Sequence, residues 1–111
     1  MSRFIPALCL ALLVAAASTL PAVAADPDPA TLAYGRRIAD RACGGCHATG
    51  DGMSPLSDAP PFRTLHLKYP VEDLQESLAE GIVVRHPAMP EFRLDPDQVG
   101  DVIAFLKSLE R

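Results

Sequence analysis

Apolar positions along this 111-residue chain fall into one unbroken run followed by three amphipathic stretches, and the two patterns predict different things. The run, about residues 4–17, follows a lone positive charge at Arg3 and precedes small residues ending in Ala22-Val23-Ala24 and Ala25. That order predicts a secretory signal peptide over residues 1–25, cleaved after Ala24 or Ala25. With prolines at Pro6 and Pro21 and fewer than the ~20 apolar residues that a spanning helix needs, the segment does not read as a retained anchor. Cys9 lies inside the run and leaves with it. Asp26-Pro27-Asp28-Pro29 reads as a short tether, residues 26–29, ahead of one domain over residues 30–111.

The amphipathic stretches predict helices. The first spans about residues 29–42, with Asp28 as N-cap, Pro29 at the first helical position, and Leu32, Ile38, Ala39 and Ala42 as apolar members. The second spans residues 71 to about 80, starting after Pro70, stopping at Gly81, and placing Leu74 and Leu78 one turn apart. The third starts at Asp95-Pro96-Asp97-Gln98, where cap, proline and a capping-box glutamine coincide, and continues to about residue 109. Val99, Val102, Ile103, Leu106 and Leu109 form its buried stripe, and Lys107 and Arg111 suit its negative end. No stretch alternates with period two, so the pattern predicts an all-α fold. Residues 49–68 hold Gly50, Gly52, Pro55, Pro60 and Pro61 and predict a long irregular loop, which in so small a domain makes sense if it wraps a ligand.

Composition sharpens this picture. About 86 residues remain after processing, too few for an ample apolar core, and a buried prosthetic group would supply what is missing. The chain has no Trp, and its formal net charge is −4; removing Arg3 makes it −5. Such a balance excludes a nucleic-acid partner. Glu72, Asp73, Glu76 and Glu80 fall along one side of the second helix, either a solubilising face or a docking patch for a basic partner. Arg36, Arg37 and Arg41 make a small opposite patch on the first.

Cys43-Gly44-Gly45-Cys46-His47 carries the chemistry. On a helical turn, residues i and i+3 share a face, so both thiols can reach the two vinyl groups on one porphyrin edge, with His47 beneath the ring as an axial iron ligand. Gly44 and Gly45 keep bulk away from the macrocycle. A thioredoxin-like pair would sit near a βαβ pattern, and a structural zinc site would want a second pair of ligands; neither is present. Once Cys9 is removed these are the remaining thiols, and no structural disulfide competes for them. For the second axial position the chain offers Met89, His86, His66 and Met53. Met89 is preferred, because His86-Pro87-Ala88-Met89-Pro90 holds it in a proline-stiffened loop, where a thioether is fixed on iron at little further entropic cost. His plus Met ligation fills the iron's coordination and leaves no position for substrate, which points to electron transfer and not to an enzyme.

With its C-x-x-C-H motif near the end of a first helix, Met89-Pro90 in a late loop and an amphipathic last helix, the chain resembles a bacterial class I cytochrome c over essentially all of residues 30–111. The resemblance implies a small all-α cytochrome c-like fold of three to four short helices wrapped around one covalently attached haem c. It implies a close crossing of first and last helices at Gly35 and Phe105, and a proline carbonyl, from Pro60 or Pro61, accepting from the His47 ring. Arg63 and Tyr69 are propionate partners suggested by chemistry alone. The function implied is that of a periplasmic one-electron carrier, a monomer passing electrons between a donor and an acceptor redox protein, with any membrane contact peripheral through a membrane-bound redox complex. Two other readings stay open: a haem subunit held on one particular periplasmic oxidoreductase, and an open-site haem acting on peroxide or binding gases.

Overall fold

The protein is described by a computed structural model covering residues 18, 20–22, 24–81 and 88–111. The apolar run of the expected signal peptide and His86 lie outside the described residues. Among the described residues there are three α-helices and two short 3₁₀ helices, and no strand.

Helix α1 covers Pro29–Ala42. Its start is set as the sequence predicts: the Asp28 carboxylate accepts from the Ala30 N–H at 2.8 Å and from the Thr31 hydroxyl at 3.0 Å, using donors that a helix start leaves free. A 3₁₀ helix over Phe62–Leu67 ends the loop that follows the cysteine motif. This corrects the expectation of an irregular segment throughout residues 49–68; prolines stop at Pro61, and the six residues after it are free to coil. The expected second helix is divided. Its first turn, Val71–Asp73, is 3₁₀, and α2 proper covers Leu74–Glu80. Gly81 ends it at φ 72°, a left-handed conformation that glycine adopts without penalty. Helix α3 covers Pro96–Ser108, opened by the full capping box between Asp95 and Gln98.

Helices α1 and α3 make the main packing contact. Gly35 is buried where they cross, and a Cβ there would lie 2.0 Å from the Asp101 carbonyl oxygen and 3.0 Å from Phe105 Cβ. The glycine therefore sets how near the two backbones come. Around this crossing α3 contributes Val99, Val102, Ile103, Phe105 and Leu106 to the core, α1 contributes Ala39, and Phe62, Leu65 and Val71 close it from the 3₁₀ segments. Each large side chain buried this way is worth roughly 1.5–3 kcal/mol. Helix α2 buries nothing completely; Leu74 and Leu78 sit half-buried at the rim of this core, beside Leu94 and Cys43.

Candidate functional site

The chain leaves α1 directly into the cysteine motif, and the motif stays helical for one more turn. Cys43 N–H donates to the Ala39 carbonyl at 2.8 Å, and the Cys43 carbonyl accepts from Cys46 at 3.1 Å and from His47 at 3.0 Å. Both cysteines are free thiols, held by this turn on neighbouring positions of one helical surface. Gly44 has a reason of its own: a Cβ on it would lie 2.5 Å from the Asp40 carbonyl oxygen, so the tight exit from α1 demands it. At Gly45 a Cβ would meet nothing within 4 Å, so the protein's own packing does not require that glycine.

Cys43 packs against the rim of the core. Burial pushes its thiol up to about 11, so it is uncharged at neutral pH. A redox-active C-x-x-C pair needs a thiolate, and this environment opposes one. An apolar partner on the sulfur is what it favours.

His47 is held by two contacts. Its Nδ1 stands 2.8 Å from the Pro60 carbonyl oxygen, which decides between the two prolines that the sequence offers. A carbonyl can only accept, so Nδ1 carries the proton and Nε2 keeps its lone pair for a metal. The Phe62 ring lies 5.0 Å from the imidazole, centroid to centroid, at 38°, and blocks rotation. The loop that supplies Pro60 is fastened in turn: Leu56 N–H donates to the Cys46 carbonyl at 3.1 Å, Ala48 N–H donates to the Ser54 hydroxyl at 3.0 Å, and Phe62 N–H donates to the Ala48 carbonyl at 2.9 Å.

Met89 is half-buried in the stretch between α2 and α3. Of the other axial candidates, Met53 is 93% exposed, and His66 sits on the Phe62–Leu67 helix with a buried Nδ1 that has no hydrogen-bond partner in the protein. Arg63, suggested as a propionate partner, has its Nη1 bonded to the Gly50 carbonyl at 3.1 Å and the Gly52 carbonyl at 2.7 Å, where it braces the loop. Tyr69 is partly exposed, and burial of the rest of the ring pushes its phenol up. Of the acidic face on the second helical segment, Glu72 is ion-paired with Lys107 of α3. On α1, Arg36 stands 3.7 Å from Asp40, and Arg37 lies over the Tyr34 ring.

Among the described residues no group of three or more His, Cys, Asp or Glu side chains could hold a bare metal ion. Two thiols, an imidazole with Nε2 free, and a half-buried apolar rim of Cys43, Leu74, Leu78 and Leu94 fit an iron porphyrin instead. Fold and site together therefore define a small helical haem protein. The family model described as "Cytochrome c" matches residues 32–110, and the cytochrome c-552 of Bradyrhizobium diazoefficiens is 34% identical over 103 residues, 92% of this chain and 91% of that protein. The chain belongs to the cytochrome c family and is a bacterial class I c-type cytochrome, with covalently bound haem c and its iron as cofactor. No solved structure matches the chain. Membership supports a haem electron carrier, and no helix among the described residues is long and apolar enough to cross a membrane.

Proposed function

We propose that this cytochrome is an exported, periplasmic one-electron carrier whose haem is joined through thioethers to Cys43 and Cys46 and whose iron is ligated by His47 and Met89. The observation that carries this reading is the bond between His47 Nδ1 and the Pro60 carbonyl, because it fixes the one tautomer in which Nε2 can ligate iron. When bound, the haem supplies a ferric–ferrous couple at a centre with no open coordination position.

The rest is the work of the chain. Pro60 and Phe62 hold His47 at one angle, so the ligand does not reorient as charge changes. Cys43 and the leucines beside it at the core's rim would exclude water from one edge of the ring. Met89 closes the other face. The N-terminal pattern of residues 1–25 supports export, and a short proline-containing tether then leads into α1 at Pro29. Its partners are a donor and an acceptor redox protein, with exposed Asp73, Glu76 and Glu80 as the charge available for docking once Glu72 is engaged by Lys107.

Optical spectra of wild type and Met89→Ala test the ligand set. Wild type is expected to show the weak long-wavelength charge-transfer band of Met-ligated ferric haem and to resist carbon monoxide in the ferrous form, and Met89→Ala to lose the band and bind the gas. A wild-type protein that is five-coordinate when ferrous, or a Met89→Ala protein that keeps the band, overturns the assignment.

A further inference from the structure

The end of α2 is not capped by its own neighbours alone. Four carbonyls at any helix C-terminus lack intrahelical donors. Here the Ser77 carbonyl takes the Gly81 N–H at 3.0 Å, while those of Leu78 and Glu80 are served from beyond Met89. Leu94 N–H donates to the Leu78 carbonyl at 2.8 Å, and Arg93 Nη2 donates to the Glu80 carbonyl at 2.9 Å. Glu91 adds a third tie: its side chain covers Gly81 so closely that a Cβ there would stand 2.6 Å from Glu91 Oε1. The segment carrying Met89 thus leaves from the end of α2 and is sewn back onto that same helix end.

Arg93 differs from the other two ties. Leu94 acts through its backbone, and Glu91 supplies contact. The guanidinium is a charged donor on the negative end of the helix, where both the hydrogen bond and the dipole favour it, and its partner is a backbone carbonyl that cannot swing away as a side chain would. Tying residue 93 to residue 80 lowers the conformational freedom of the span that carries Met89. Met89 lies four residues before Arg93.

We propose that Arg93 is a positioning residue for the axial methionine: by donating to the Glu80 carbonyl it holds the far end of the Met89 segment on α2 and keeps the thioether on the iron. This rests on the Met89 ligation proposed above. Loss of the tie raises the fraction of molecules in which the sixth position is free by roughly threefold, because the bond is solvent-exposed and its charge is screened. The exchange it controls is simple substitution, in which the thioether leaves iron and an external ligand binds, with no change in oxidation state.

Imidazole, added to the ferric holoprotein and followed optically, reads that fraction, since its apparent affinity scales with the population of open molecules. Arg93→Ala is expected to bind imidazole roughly threefold more tightly than wild type. Arg93→Lys, which keeps a cationic donor, is expected to stay nearer to wild type, and Arg93→Gln is a second variant should the alanine protein fail to mature. Lys107→Ala, which breaks the ion pair with Glu72 away from this loop, is expected to match wild type. Met89→Ala separates the two proposals: it must bind imidazole more tightly than wild type, and if it does not, the ligation itself is wrong. If Met89→Ala tightens binding while Arg93→Ala and Arg93→Gln leave it unchanged, or if Lys107→Ala shifts it as far as Arg93→Ala does, the role of Arg93 is overturned.

Discussion

The ring of His47 is bound to the carbonyl of Pro60 across thirteen residues of chain, and that single contact of 2.8 Å joins the cysteine motif to the end of the loop that follows it. With His47 as the iron ligand, the hydrogen bond from Nδ1–H to this carbonyl would make the imidazole a stronger electron-pair donor at Nε2, which favours ferric over ferrous iron. Pro60→Gly keeps the carbonyl but frees the backbone that aims it. The expected result is a midpoint potential raised by tens of millivolts, where a tenfold change in a one-electron equilibrium is about 59 mV. Potentiometric titration measures it, and a potential that falls speaks against this role for Pro60.

The crossing of α1 and α3 depends on a missing side chain. Gly35→Ala would place a methyl 2.0 Å from the Asp101 carbonyl oxygen, a backbone atom that moves only if the helices separate. Separation loosens the packing of Phe105 and Ala39 as well. The expected cost is about 3 kcal/mol, at the upper end for overpacking, read from denaturant unfolding of the holoprotein. A cost under about 1 kcal/mol, typical of tolerated core changes, would mean that the helices do not cross this closely.

Stability should respond to pH through Glu72 and Lys107, which link the 3₁₀ turn before α2 to α3. The hydrogen bond from Lys107 pulls the Glu72 carboxyl below its ordinary value, and the same bond from Glu72 raises Lys107 above its own. A lowered acid stabilises the fold above its unfolded pKa and loses that contribution as pH falls through the folded one. A raised base does so below its unfolded pKa and loses it as pH rises through the folded one. The pair therefore acts between the acid and alkaline limits. Both groups are exposed, so the effect is small and screened by salt. Melting temperatures of wild type and Lys107→Ala should differ slightly near neutrality and converge in acid and in about 1 M salt. A gap that persists under both conditions would show that Lys107 acts by packing.

Much of this was legible in the residues because the signals were local. Asp28 and Asp95 announce helix starts by what stands one to three positions later, and both caps form as read. The spacing of Cys43, Cys46 and His47 needs only one turn of helix to be understood, and that turn is present. What escaped depends on chain segments meeting in space. The 3₁₀ helix at Phe62–Leu67 forms against the core through Phe62 and Leu65, in a region whose prolines and glycines had suggested only a loop. Arg63, a propionate partner suggested by chemistry alone, also braces Gly50 and Gly52 through its Nη1, a role that no spacing encodes. The choice of Pro60 over Pro61 needed the direction of one carbonyl. Arg93 carried no motif at all; its meeting with the Glu80 carbonyl exists only once the chain has folded back on α2.

The central claim is that haem is bonded to this polypeptide at Cys43 and Cys46, and intact-mass measurement of protein matured in a host that attaches haem c tests it most directly. The account predicts a coloured protein whose denatured mass exceeds that of the processed chain by one haem, with the added mass lost in the Cys43→Ser, Cys46→Ser double variant. Colourless protein at the bare polypeptide mass, or haem that remains attached to the double variant, would contradict it.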